Sequence, residues 1–441
     1  MPKRSALASS TGSNTIVVDG KPDDGRLQRI QHLQFSDRPT AETLMRQLVQ
    51  EVYASDVQTV ELRPSPVSLN SIHGFLNHAD GRRYFFKTHT ETDTLIGEYY
   101  RAQLIADAGF PVIQPIFQSG EVGKQLLVYE SIADPSVFEV AWEIETEPAQ
   151  SHSRWKPLLQ AQAREDAALF QRQLQSLQWQ DATAAAKAPI HQLFHHRLTG
   201  RRYQRFYADH TELNLVMDSE TVTMPYAELR ELHWQINGQE YAETLTDIVS
   251  RCCRILQPAQ PGPAIIGHGD AHNGNVFLQS APMPQLSYFD PAFAGWHHPL
   301  LDLAKPLFHN AFAMWMYFPR EMSEHLQLRS QRKNRRWHIR YQNALPAVRK
   351  MFLESKLKRV LVPILCELAR RNWLRDDWRA YLKAALACCP LLTLNLADPT
   401  RFPPDIALLG FAMTVEMGAE SHSQRSTIDR LLDEVENDIS Q

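Results

Sequence analysis

One run restricts what this chain can be more than any other: Ile265-Ile-Gly-His-Gly-Asp-Ala-His-Asn-Gly-Asn-Val276. An apolar, strand-like stretch enters it, and Val276-Phe-Leu278 leaves it. Between them stand His268, Asp270, His272, Asn273 and Asn275, with Gly269 and Gly274. A further carboxylate, Asp290, closes the apolar run Leu286-Ser-Tyr-Phe-Asp290. Asp270, Asn275 and Asp290 therefore fall at the ends of paired short strands. Hard oxygen donors so placed suit Mg²⁺, which takes one or two protein oxygens and completes its shell with water and phosphate. They also suit phosphoryl transfer, which needs a metal for charge, a carboxylate to orient the acceptor and in-line alignment.

The rest of the chain gives this loop a setting. Residues 1–38 are polar and aperiodic and read as a flexible tail, with a short ordered piece near Leu27–Leu33. From Thr40 apolar residues recur at helical spacing. Val57–Leu62, Ser68–Asn77 and Arg83–Thr88 read as strands, the last two a hairpin through Asp80-Gly81. Thr94–Ala108 reads as a helix closed by Gly109 and Pro111. Val112–Gln118 and Gln125–Glu130 read as further strands. Beyond Ser131 the pattern turns helical. Strands return only at Asn275–Leu278 and Leu286–Phe289, and everything after Leu300 reads as helix. The expected class is α+β: a β-rich lobe over 39–130 and a larger, mainly helical lobe over 131–441.

His268-Gly-Asp270-x-His272-x-x-Asn275 followed by Asp290 resembles the catalytic loop and metal aspartate of the aminoglycoside phosphotransferase / choline kinase family, which has the two-lobed protein-kinase-like fold. The resemblance implies that Asp270 orients the acceptor hydroxyl, that Asn275 and Asp290 hold Mg²⁺, and that His268 and His272 brace the loop. Asp302, in Pro299-Leu-Leu-Asp302-Leu-Ala304, resembles the residue that supports the loop from behind. Lys87 in Tyr84-Phe-Phe-Lys87 and Glu98 in the following helix resemble the phosphate-contacting lysine and its glutamate. Ser68, Asn70, Ser71 and Gly74 occupy the place of the nucleotide-covering loop, with one glycine where protein kinases have three. Leu126–Ser131, including Glu130, resembles the hinge that pairs with the nucleobase. The nucleotide implied is ATP, with GTP as the alternative.

Each residue has an ordinary reading when taken alone. Lysine on a strand is usually a solvated edge residue, and Asp and Asn favour turns. Their joint order is what argues for chemistry. His-x-Asp-x-His also spaces zinc ligands, but no third His or Cys follows in the loop. The five cysteines lack CxxC spacing and read as reduced thiols of a cytoplasmic protein. The net charge of −4 calls for neither nucleic acid nor a membrane as partner. Two basic clusters, 195–205 and 329–340, read either as solvated helix faces or as a site for an anionic acceptor. The expected activity is transfer of the γ-phosphoryl group of ATP to a hydroxyl of a small molecule. A protein substrate and a nucleotide-binding module without turnover are the alternatives.

Overall fold

The computed structural model describes residues 25–53, 55–64, 71–89, 94–121, 123–147, 152–280, 282–342 and 344–440. Its contacts divide the chain into two compact units, one of residues 1–92 with 117–128, the other of 93–116 with 129–441.

The smaller unit is built on a five-stranded sheet. Its order is Val57–Leu62, Ser71–His78, Arg83–His89, Leu126–Glu130, Phe117–Ser119. The hairpin expected through Asp80-Gly81 is present, with Asn77 opposite Arg83 and Gly74 opposite Phe86. Two helices, Arg26–Ser36 and Arg38–Val52, accompany the sheet. The first extends beyond the ordered piece expected at Leu27–Leu33, because Leu27 and Ile30 are buried with Met45 and Leu48 in the core of this unit. Asp37 caps the second helix, its side chain accepting from the Thr40 amide.

The larger unit is mainly helical. Pro299–His309, Trp378–Leu392 and Pro404–Gly418 are buried along nearly their whole lengths. A helix that is apolar on every side belongs inside a core. This unit also holds more strands than the sequence suggests. Gly262–Gly267 is the middle of a three-stranded sheet, between Gly295–His297 and Gln178–Gln180. Glu212–Met217 and Glu220–Pro225 form a hairpin. Of the expected strand Val112–Gln118, only the end is strand, as Phe117–Ser119, while Val112 makes a single bridge to Tyr288.

The main departure lies after Leu300. Arg329–Lys333 and Arg336–Arg340 are a β-hairpin rather than helix, turning at Asn334 with φ 54°. Ser330, Trp337 and Ile339 are buried while arginines alternate with them outward. That period of two is a strand signature which the density of charge conceals in the sequence. Trp337 pairs in register with Trp234 on the parallel strand His233–Ile236, their rings stacked at 6.2 Å.

The core carries one unusual carboxyl group. Glu416 is 9 % exposed, and its Oε2 accepts from the Tyr341 hydroxyl at 2.5 Å. Burial pushes its pKa up to about 7 from 4.5, with Asp429 adding to the rise and Tyr341 and Lys383 opposing it. The folded state therefore binds more protons than the unfolded one between these two values, and stability falls as pH rises through that window. We expect the wild type to lose about 3 kcal/mol between about pH 4 and about pH 8 through this group. Urea denaturation of wild type and Glu416→Gln at both pH values tests this. A steeper loss in the wild type is the expected result, and parallel slopes would contradict it.

Candidate active site

Strand Gly262–Gly267 delivers the chain to His268, which is 1 % exposed. The His268 Nε2–H donates to the Phe289 carbonyl at 3.0 Å, and its Nδ1 accepts from the Asp270 amide at 3.3 Å. A neutral ring with its proton on Nε2 satisfies both. Burial lowers its pKa, consistent with that state. Gly269 follows with φ +81°, and a Cβ there would lie 2.6 Å from the Phe293 carbonyl oxygen. Only glycine meets both conditions.

Asp302 braces the turn from helix Pro299–His309. It is 3 % exposed. Its Oδ1 accepts from the Gly269 amide at 2.8 Å and from His297 Nε2 at 3.1 Å, and its Oδ2 accepts from Gln173 at 3.3 Å. Burial works against its charge, but the bond and charge of His297 and the Gly269 amide outweigh burial and hold its pKa below the usual value. On the far side of the loop, His272 Nδ1 accepts from the Gly274 amide at 3.1 Å. The Asn273 amide donates to Asn310 Oδ1 at 2.8 Å, and the Asn310 carbonyl accepts from Arg349, which is paired with Glu145. His268, His272 and Asp302 thus each accept a hydrogen bond from a backbone amide of the loop.

Asp270 stands at the centre of this frame with 15 % of its side chain exposed. Its Oδ1 receives no hydrogen bond from any described residue. Lys305 Nζ lies 3.5 Å from that oxygen and His272 Nε2 lies 4.0 Å away. Burial would raise the Asp270 pKa, but the neighbouring bases, Lys305 first and then His272 and Arg197, hold it below the ordinary aspartate value. It is a carboxylate at neutral pH, with an acceptor oxygen unsatisfied.

Asn275 and Asp290 flank the hairpin Val276–Gln279 / Gln285–Tyr288 at one end. The Phe289 amide donates to the Asn275 carbonyl at 2.9 Å, which holds the two chain segments together just before Asp290. Asn275 Nδ2 donates to the Asp270 carbonyl at 3.0 Å, so its Oδ1 faces away from that bond. Asp290 adopts φ +56°. For aspartate this conformation costs about 1–3 kcal/mol, the kind of strain kept where a side chain must be aimed. Its charge acts on both His268 and His272. The structure therefore brings together Asp270, Asn275 and Asp290 from two stretches of sequence. A sequence model described as the phosphotransferase enzyme family matches residues 72–336, more than half of the chain.

The chain belongs to this family. No curated protein sequence matches it. Among solved structures it is similar to an amicoumacin kinase in complex with AMP-PNP and Ca²⁺, at 14 % identity over 88 % of this chain and 94 % of that one, TM-score 0.46. It is similar to a spectinomycin phosphotransferase in complex with ADP and spectinomycin, at 13 % identity over 85 % and 98 %, TM-score 0.37. It is also similar to an aminoglycoside phosphotransferase, at 12 % identity over 86 % and 99 %, TM-score 0.44.

The remaining expected residues of this phosphotransferase are placed as follows. Lys87 is 7 % exposed on strand Arg83–His89 of the smaller unit, opposite His73. Glu98 is in helix Thr94–Asp107, with its side chain outside the described residues. Ser68 and Asn70 lie outside the described residues, and Ser71 opens strand Ser71–His78. Gly74 sits inside that strand, where a Cβ would stand 2.0 Å from the Glu61 carbonyl oxygen. Glycine there lets two strands approach. Glu130 is exposed at the end of strand Leu126–Glu130, and the preceding Tyr129 packs edge-on against Phe289 at 5.0 Å.

Several residues at this site carry no motif. Lys305 lies one helical turn beyond Asp302, 4 % exposed. Lys305 Nζ contacts His309 Nε2 at 3.3 Å, and His309 Nδ1 contacts the Tyr317 hydroxyl at 2.8 Å. Because an ammonium only donates, His309 is neutral with its proton on Nδ1, and Tyr317 accepts that proton's bond. Burial first, then the charge of Lys305, lowers the His309 pKa accordingly. Tyr317 ends a half-buried aromatic row: Phe138 meets it at 4.8 Å, Phe318 stacks on Phe138 at 5.6 Å, and Trp142 stacks on Phe318 at 4.0 Å. Alternating i, i+3 positions along 299–309 were the available signal for Lys305.

Proposed function

We propose that the chain transfers the γ-phosphoryl group of ATP to a hydroxyl of a small molecule in the cytoplasm, with GTP as the alternative nucleotide. The observation that carries this reading is the braced Asp270 carboxylate, with Oδ1 unsatisfied, beside Asn275 and Asp290. Asp270 would accept a hydrogen bond from the acceptor hydroxyl and align its oxygen for attack. Lys305 keeps Asp270 ionised and therefore able only to accept. Asn275 and Asp290 are a two-oxygen set of the kind Mg²⁺ uses beside phosphates, and would hold it. When bound, Mg²⁺ neutralises charge on the nucleotide's phosphate oxygens. The buried loop floor, closed by His268 and Asp302, keeps water from behind the carboxylate.

Lys87, with Glu98, would position the nucleotide phosphates, and Ser68, Asn70, Ser71 and Gly74 would cover them. The segment ending at Glu130 would pair with the base. In this assignment 39–130 is the nucleotide lobe and 131–441 the catalytic and acceptor lobe. A protein substrate is disfavoured by the short stretch from Asp290 to Asp302. It holds the strand Gly295–His297, paired in the sheet, and the start of helix Pro299–His309, which leaves few residues for a docking loop. Asp290→Ala tests the metal assignment. Mg²⁺-dependent ADP release should fall by at least about a hundredfold, and Mg²⁺ should no longer raise the melting temperature of the nucleotide complex. Retention of both would overturn it.

A further inference from the structure

The larger unit holds a cavity of about 170 Å³ whose lining includes none of Asp270, Asn275 and Asp290. It lies between the start of strand Gly262–Gly267 and residues 372–381. Trp179, Trp373, Tyr381 and His298 give it aromatic walls. The Trp179 and Trp373 rings meet at 5.7 Å, and the His298 and Tyr381 rings at 4.9 Å. Trp179 sits on the edge strand Gln178–Gln180 and is 50 % exposed, so half of an indole is left to water here. A cavity of roughly 150 Å³ holds one benzene ring. This one therefore has room for a single flat ring with a small substituent, and is too small for a nucleotide.

Arg375 is the one side chain of fixed charge in the lining. It is already engaged: its Nε pairs with Asp377 at 2.8 Å, another nitrogen donates to Gln260 at 3.0 Å, and the guanidinium lies over the Tyr381 ring at 4.2 Å. An occupant finds no free charge to match it, which favours a neutral one. What the lining leaves open is on two adjacent imidazoles. His298 caps helix Pro299–His309, its Nδ1 accepting from the Leu300 amide at 3.2 Å. Its ring is therefore neutral with the proton on Nε2. Burial, which lowers its pKa to about 3, keeps it so. That Nε2–H is buried and has no acceptor among the described residues. His297 is bonded to Asp302 through Nε2, and its Nδ1 is likewise buried and without a partner among them. Buried polar atoms left so are costly, and they mark places that water or a ligand completes. A carboxamide carries both an accepting oxygen and N–H donors, so it can complete His298 and either form of His297.

We propose that this cavity is a second small-molecule site, which takes a neutral, single-ring aromatic carboxamide against Trp179, Trp373 and Tyr381 with its amide on the His298 and His297 imidazoles. The site is separate from the phosphotransferase reading and does not depend on it. It is nevertheless tied to the Asp270 loop. His297 lines the cavity and is bonded to Asp302 Oδ1, the same oxygen that accepts from the Gly269 amide. An occupant would rest beside the support of that loop.

Benzamide and nicotinamide are the probes. Toluene, a ring without the amide, and cyclohexanecarboxamide, an amide without the flat ring, are the controls. Binding to the full chain is followed by calorimetry and by tryptophan fluorescence, with and without ATP. Two variants on different segments alter the cavity. Gly262→Leu fills it, since a Cβ there would meet only the His298 ring, at an ordinary 3.9 Å. Trp373→Ala removes one wall, and carries the comparison alone if Gly262→Leu melts well below wild type. The expected result is saturable binding of a carboxamide to wild type, unchanged by ATP and weakened at least about tenfold in the variants, as loss of an aromatic contact and its buried area implies. Both controls should bind at least about tenfold more weakly than the carboxamides. No saturable binding of either probe would show a cavity that holds only water. Displacement by ATP, or equal affinity in the variants, would place the probes elsewhere and end the proposal. Equal binding of either control would overturn the ligand class.

Discussion

Asp270→Ala should lower kcat for acceptor phosphorylation by about 10²–10⁴-fold, the range for removal of a general-base carboxylate, while nucleotide affinity changes little. The reasoning starts from the geometry. Asp270 is the one carboxylate of the loop whose oxygen is buried, unsatisfied and within ion-pair distance of Lys305. Alanine leaves Lys305 without its carboxylate, so in that variant loss of activity and loss of fold are mixed. Asp270→Asn separates the two. It keeps the shape, the loop's backbone bonds and an amide oxygen facing Lys305, removes the charge, and should melt closer to wild type than Asp270→Ala while losing comparable activity. Stopped turnover with intact nucleotide binding in both variants is the expected pattern. Activity within about threefold of wild type in Asp270→Asn would remove Asp270 from the chemistry.

Asp302→Ala should be the most destabilising single change at the site, by about 3–5 kcal/mol. One buried carboxylate here accepts from the Gly269 amide, His297 and Gln173. Removing it strands all three donors, two of them on segments far apart in sequence. It also releases Gly269, held at φ +81° against Phe293, so Asp270 loses its aim as well. Asp302→Asn keeps an acceptor oxygen for Gly269 and should recover part of the loss. Chemical denaturation of the three proteins, read beside kcat, tests this. Equal stability of wild type and Asp302→Ala would show that the loop is held by other means.

The site was legible in the sequence where its residues are close together. Between His268 and Asp290 the motif supplied the loop, the oxygens proposed for the metal and the strands that pair them, because local order there is also spatial order. Asp302 was legible through its own short motif. Lys305 and Tyr317 join the site through His309, a contact made by the packing of helix Pro299–His309 and not by any spacing. The fold shows the same limit. The α+β division and the hairpin at Asp80-Gly81 follow from local pattern. The hairpin at 329–340 does not, because its buried Ser330, Trp337 and Ile339 alternate with arginines that read as a charged surface. The sheet that takes it in is completed by His233–Ile236, about a hundred residues away.

The central claim is that phosphate moves from nucleotide to acceptor through Asp270. It is tested most directly by incubating the protein with Mg²⁺, γ-labelled ATP and the pooled hydroxylated compounds, then following where the label goes. The account predicts label covalently bound to an acceptor with wild type and none above background with Asp270→Asn. Label found only in inorganic phosphate, or equal transfer by the two proteins, would contradict it.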